Sequence, residues 1–270
     1  MADIKKIKEK FYALIHAPEE KYILDAILDR SPSGVPIFLD NLRCLFFDKP
    51  SQKAPFFILW LITSKCNCNC GFCNTGDRVE DDLDTTQAMK VALQIGHSDV
   101  CVVTLSGGEP LIRKDIFGII KILRKYNKCV VIETNGLLLE TFCAEIISLG
   151  IKQLWVSIDS HLPEVHDRFR NKKGAFEKVI QGIESVKRKR IDKRPFIVAR
   201  AVIAKENFEL IGDYIDFFKN KVDAITFQPL QKFSIFSMDN INRPSFLKEE
   251  DAPKLRDIIQ TLSKKYSFLN

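Results

Sequence analysis

From residue 56 onward, short apolar runs rich in β-branched and aromatic residues alternate with longer stretches whose apolar residues recur at three- and four-residue spacing. This alternation reads as repeated β-α units. Strands are expected at Phe57–Thr63, Cys101–Leu105, Cys129–Thr134, Gln153–Ile158, Phe196–Val202 and Asp223–Phe227. Between them, Phe176, Val179, Ile180, Ile183 and Val186 fall on one helical face, and Phe208, Ile211, Tyr214, Ile215 and Phe218 on another. A last stretch with Leu255, Ile258, Ile259 and Leu262 brings the expected helices to six. The pattern predicts an α/β fold, a partial (β/α)6 barrel two units short of a closed eight.

A separate helical pattern, Ile4, Ile7, Phe11, Leu14 and Ile15, precedes a turn region marked by Pro32, Gly34 and Pro36. We read residues 1–52 as an N-terminal helical extension and residues 53–270 as the core. Lys5, Lys6, Lys8 and Lys10 would suit a membrane-surface or docking role, but also an ordinary solvated face on a helix packed against the barrel.

Composition narrows the classes. With 46% hydrophobic and 28% charged residues in 270, the chain can bury a core without staples. Twelve glycines and eleven prolines are too few for a fibrous or disordered chain. Forty-one Lys and Arg against 35 Asp and Glu leave +6, a mild bias spread along the chain. The longest apolar run, Ala54 to Ile62, is far short of the roughly 18 residues of a membrane-spanning helix. The charged start, Met1 to Lys6, lacks the features of a secretory signal, and a cytoplasmic protein is expected.

In such a chain, eight cysteines point to thiols or metal ligands rather than disulfides, and four lie within Cys66 to Cys73, directly after the first strand. Cys66, Cys70 and Cys73 have a Cys-x3-Cys-x2-Cys spacing that can wrap a cubane iron–sulfur cluster and leave its fourth iron open. Cys68 is a fourth thiol in the same loop, so a structural zinc site, with Cys70 and Cys73 as one half, is the alternative. Cys44, Cys101, Cys129 and Cys143 sit in apolar contexts and read as core thiols, and His16, His97, His161 and His166 show no metal-ligand spacing.

The cysteine loop, with Phe72 just before its last cysteine, resembles the cluster loop of the radical S-adenosylmethionine superfamily. The resemblance implies that Cys66, Cys70 and Cys73 bind three irons of a four-iron four-sulfur cluster, that S-adenosylmethionine chelates the fourth, and that Cys68 is not a ligand. In a barrel the loops after the other strands open at the same end. The second strand ends in Ser106-Gly107-Gly108-Glu109-Pro110, where two glycines allow close backbone approach and an acid can accept from an ammonium group. By resemblance, this Gly107-Gly108-Glu109 segment holds the cofactor's amino group. The stretch Ser106 to Asp115 is similar to that of SPASM-type and haem-biosynthesis-like members. Thr134 and Asn135 match a Thr-Asn-Gly segment that lines the cofactor pocket, while Asn135-Gly136 by itself is a common turn. Ser157 is implied to reach the ribose or carboxylate region and Arg170 the carboxylate, with Arg168 as the competing residue. Gln228, just after the sixth strand, is a candidate for the adenine end.

The resemblance covers roughly residues 56 to 230 and implies reductive cleavage of S-adenosylmethionine to a 5′-deoxyadenosyl radical, followed by hydrogen abstraction from a substrate. The implied substrates are a peptide or a small-molecule cofactor precursor, and the implied partner is an electron donor such as a flavodoxin or ferredoxin. No cysteine follows Cys143, which speaks against a molybdopterin-precursor cyclase and against a SPASM-type maturase complete in this chain. The ending at Asn270, directly after the sixth helical pattern, would also suit a C-terminally truncated fragment. Two other functions stay open. One is RNA modification, which the +6 charge allows, although Lys187 to Arg190 ends a helix, where cations complement the dipole without any nucleic acid. The other is a zinc-stabilised, non-enzymatic binding protein.

Overall fold

The structure is a computed structural model that describes residues 55–73, 82–230 and 246–266. The expected N-terminal extension and Cys44 lie outside these residues. Six strands form one parallel sheet in sequence order: β1 (Phe57–Thr63), β2 (Val102–Gly107), β3 (Cys129–Thr134), β4 (Gln153–Ser157), β5 (Phe196–Ile203) and β6 (Ala224–Pro229). β1 and β6 are its two edges, so the barrel is open, and the predicted partial (β/α)6 class holds.

Among the described residues the helices are α1 (Thr85–His97), α2 (Ile116–Lys125), α3 (Cys143–Ser148), α4 (Pro163–Arg170), α5 (Ala175–Lys189), α6 (Ile211–Phe218) and α7 (Ala252–Lys265). The count exceeds the expected six because two helices, α4 and α5, follow β4. Pro163 starts α4, where a missing N–H costs nothing, and Asn171 ends it in a left-handed conformation at φ 47°.

Alternation along the strands separates two apolar regions. Ile62, Leu105, Ile132, Val156 and Ala199 point outward into the main core beneath the helices. Val102, Val131, Trp155, Val198 and Ala224 point inward and fill the lower part of the barrel. Cys101, Cys129 and Cys143 are buried, as expected of core thiols. No helix among the described residues is long and apolar enough to cross a membrane.

The two faces make unequal demands. Ile132 is fully buried between sheet and helices, whereas Leu61 on the inner side of β1 is 56% exposed. Ile132→Ala is expected to cost about 2–5 kcal/mol in urea unfolding, and Leu61→Ala to stay within about 0.5 kcal/mol of the parent. Equal losses at both positions would contradict this assignment of faces.

Candidate functional site

The cysteine loop leaves β1 at Thr63 and is held from two sides. On one side, the end of β2 passes so close that its backbone bonds directly to the loop: Gly108 N donates to Thr63 O at 2.7 Å and Glu109 N to Lys65 O at 2.8 Å. A Cβ on Gly107 would come within 2.3 Å of Thr63 O, and one on Gly108 within 2.1 Å of Lys65 O. Gly107 also has a φ of +128°, which side-chain-bearing residues rarely adopt. The two glycines thus allow one backbone to approach another, where the sequence suggested only an approach to a ligand.

On the other side the loop meets α4. Gly71 N donates to Phe169 O at 3.2 Å, and Phe72 packs edge-on against Phe169, with Val165 and Ala204 in the same small apolar cluster. This is the structural work of the aromatic residue before Cys73. Arg113, within the stretch after the glycines, donates to Ile62 O at 2.9 Å and Leu83 O at 2.8 Å while paired with Asp115. It ties the end of β1 to the start of α1.

Glu109 is completely buried. Its carboxylate accepts from Asn135 N at 2.6 Å, Thr134 Oγ1 at 2.8 Å and Leu111 N at 3.1 Å, so it joins the ends of β2 and β3. Burial pushes its pKa up to about 7, against the pull of these hydrogen bonds.

An open cavity with about 680 Å³ of empty space lies over the sheet, lined by Cys66, Cys68, Cys70, Cys73, Ser106, Gly107, Gly108, Glu133, Thr134, Asn135, Ser157 and Arg170, with Asn69 and Phe72. Nine of the residues expected from the sequence thus meet around one space. Glu109 lies behind this wall. Gln228, on β6 and in register with Val202 of β5, is not part of the lining. Of the two competing arginines, Arg170 lines the cavity and Arg168 is exposed.

The thiols are electrostatically graded. Cys66 Sγ accepts from Cys68 N at 3.4 Å and Asn135 Nδ2 at 3.8 Å, and Cys70 Sγ from Arg170 Nη1 at 3.7 Å. Hydrogen bonding from Cys68 above all, helped by the charge of Arg170, brings Cys66 down to about 6 and Cys70 down to about 7. The same bonds, with burial, push Cys68 up. Low-lying thiols gathered in one loop beside a cation are a donor set that fits an iron–sulfur cluster. Among the described residues, no three His, Cys, Asp or Glu side chains converge as ligands of a single ion.

Behind Arg170 stands a buried polar group that sequence reading missed. Asp159 Oδ1 accepts from Arg170 Nη2 at 2.8 Å and Val202 N at 3.1 Å, and Asp159 Oδ2 lies 2.7 Å from Arg170 Nε. His166, fully buried and kept neutral by that burial, accepts from Asp159 N at 3.1 Å through Nδ1. Asn207 Nδ2 donates to Asp159 O at 2.8 Å, and Tyr214 Oη to Ile158 O at 2.8 Å. The guanidinium fork expected to meet a cofactor carboxylate is thus occupied on one edge by Asp159 and turns its other nitrogen to Cys70. The only sequence signal was a run of polar residues after β4, which equally describes a surface loop.

Residues 60–218 match the Radical SAM superfamily, and the chain belongs to that family. Members use a four-iron four-sulfur cluster with S-adenosylmethionine, the two cofactors expected from the sequence. The AdoMet-dependent heme synthase of Methanosarcina barkeri (strain Fusaro / DSM 804) is 35% identical over 163 residues, 59% of this chain and 46% of that protein. The pre-heme d1 synthase of Dinoroseobacter shibae (strain DSM 16493 / NCIMB 14021 / DFL 12) is 32% identical over 138 residues, 50% of this chain and 34% of that protein. The chain therefore spans less than half the length of either relative. Streptococcus suis SuiB, solved bound to S-adenosylmethionine, superimposes with a TM-score of 0.66 over 87% of this chain and 54% of that one, at 16% identity, a likeness of fold.

The pKa of Glu109 yields a test of the hinge between β2 and β3. Its folded value lies above the roughly 4.3 of an unfolded glutamate, so between those values the folded protein holds a proton that the unfolded chain gives up. The contribution is fully present below about 4.3, falls as pH rises and is gone above about 7. In urea unfolding, the stability of the parent relative to Glu109→Gln is expected to drop by roughly 2 kcal/mol between pH 5 and pH 7.5. A difference that is flat or rises with pH contradicts the assignment.

Proposed function

We propose that residues 53–270 are the core of a radical SAM enzyme in which Cys66, Cys70 and Cys73 hold a four-iron four-sulfur cluster, and residues 1–52 an extension to it. The observation that carries this reading is the convergence of the cysteine loop with the ends of β2, β3 and β4 and with Arg170 on one cavity. When bound, the cluster and S-adenosylmethionine supply a 5′-deoxyadenosyl radical that removes a hydrogen atom from the substrate.

The chain's own residues position and shield. The backbone of Gly107 and Gly108 and the side chains of Thr134, Asn135 and Ser157 surround the cofactor, with Gln228 toward its adenine end. Glu109 fixes the segment that meets its amino group. Arg170 offsets the negative charge gathered on the thiolates and, through Nη1, meets Cys70. Cys68 stays outside the ligand set and donates to its neighbours. The substrate is a cofactor precursor or a peptide. The names of the two heme-synthase relatives favour the first, and the fold shared with SuiB is compatible with the second. A flavodoxin or ferredoxin supplies the electron, and the enzyme works in the cytoplasm.

Anaerobic reconstitution with iron and sulfide, followed by reduction with S-adenosylmethionine, is expected to give about four irons per chain and to release 5′-deoxyadenosine by chromatography. Cys66→Ala, Cys70→Ala and Cys73→Ala should each abolish release, whereas Cys68→Ala should keep the iron content. Stoichiometric zinc in place of iron would overturn the reading in favour of a binding protein.

A further inference from the structure

A cation fixed beside Cys70 has two opposite effects. It favours the thiolate, but it also draws in the electron that reduces a cluster bound there, and so makes that cluster a weaker reductant. Reductive cleavage of S-adenosylmethionine demands the reverse, a cluster of low potential that gives its electron up readily. With Arg170 Nη1 at 3.7 Å from Cys70 Sγ, an uncompensated guanidinium would therefore work against the reaction.

Asp159 supplies the compensation. Its carboxylate meets the nitrogens that Arg170 does not turn to Cys70, with Oδ1 accepting from Nη2 at 2.8 Å and Oδ2 at 2.7 Å from Nε. The side chain of Asp159 has no exposed surface and that of Arg170 only 8%, so solvent ions screen neither charge effectively. Burial alone would pull the Arg170 guanidinium down, and the charge of Asp159 more than offsets it, holding Arg170 above its ordinary range. Both charges reach the thiol. Beyond the hydrogen bond from Cys68 and burial, Arg170 lowers the pKa of Cys70 and Asp159 raises it. Two other titratable groups adjoin the pair, and burial keeps both neutral: His166, with Nδ1 at 3.8 Å from Asp159 Oδ2, and Tyr214.

We propose that Asp159 is a positioning residue that acts on the cluster through Arg170: it holds the guanidinium where Nη1 donates to Cys70 and cancels its charge, so that the cluster keeps a low potential. The proposal rests on the reading of Cys66, Cys70 and Cys73 as cluster ligands. Asp159 does not line the cavity and touches no reacting group. Its contribution is the neutrality of a pair whose positive member faces the thiol.

The test is a potentiometric titration of the reconstituted full chain without S-adenosylmethionine, read by electron paramagnetic resonance of the reduced cluster. Asp159→Asn keeps the size of the side chain and an acceptor for Arg170 while removing the charge. At the midpoint potential of the parent it is expected to move the ratio of reduced to oxidised cluster at least about tenfold toward the reduced form, a rise of about 59 mV for one electron. Asp159→Asn combined with Arg170→Gln buries no unpaired charge, and so keeps the test open if the single variant does not fold. Because the parent pair is already neutral, the double variant is expected to stay within about fivefold of the parent ratio. An unchanged or lower potential in Asp159→Asn would overturn the proposal, as would a larger displacement of the double variant in either direction. Iron counted on the same preparations separates this failure from that of the underlying reading: a parent chain that assembles no cluster refutes the ligand set, and the proposal with it.

Discussion

The close approach at Gly107 and Gly108 is the constraint on which the rest of the site depends. Two backbone hydrogen bonds join the end of β2 to the start of the cysteine loop, and both require positions where any side chain would strike a carbonyl oxygen. Overpacking of this kind costs about 1–3 kcal/mol when a neighbour can shift, and here the neighbours are backbone atoms of β1 and of the cysteine loop that follows it. Once the loop is fixed there, Glu109 carries the alignment to β3 by three hydrogen bonds from residues at and beside the ends of the two strands. The cost is a fully buried carboxyl, visible in its raised pKa.

The far side of the loop is set by a different device. Phe72 inserts next to Phe169, and Arg170, one residue on, is anchored by buried Asp159, whose main chain is held by His166 and Asn207 and whose carboxylate accepts from the backbone of β5. A buried charged pair gives little net stability, but removing one partner leaves an uncompensated charge and is strongly unfavourable. Asp159 therefore holds a cation at a fixed place beside Cys70. After the hydrogen bond from Cys68, the cation helps to lower the pKa of that thiol, the chemistry a cluster ligand needs.

Much of this was legible in the sequence, for identifiable reasons. β1 and β3 fall at their expected bounds because each is an apolar run closed by polar or turn residues. α4 was not legible, since its eight residues bury only Val165, His166, Phe169 and Arg170, too short a pattern to separate from a loop. Which face of β1 looks inward was hidden for the opposite reason: Phe57-Ile58-Leu59-Trp60-Leu61-Ile62 is apolar throughout, and alternation carries no signal in such a run. Asp159 and Glu133 act through partners distant in sequence, among them Arg170 and Arg200 at 11 and 67 residues, so their roles emerge from the register of the strands.

The central claim is that three thiolates of one loop leave a cluster iron open to S-adenosylmethionine within the rim formed by β2, β3 and α4. The most direct measurement is electron–nuclear double resonance of the reduced, reconstituted protein with S-adenosylmethionine carrying nitrogen-15 in its amino group. The account predicts a nitrogen coupling to the cluster that vanishes when unlabelled methionine-free buffer replaces the cofactor. A paramagnetic cluster that shows no coupling at saturating S-adenosylmethionine would contradict it.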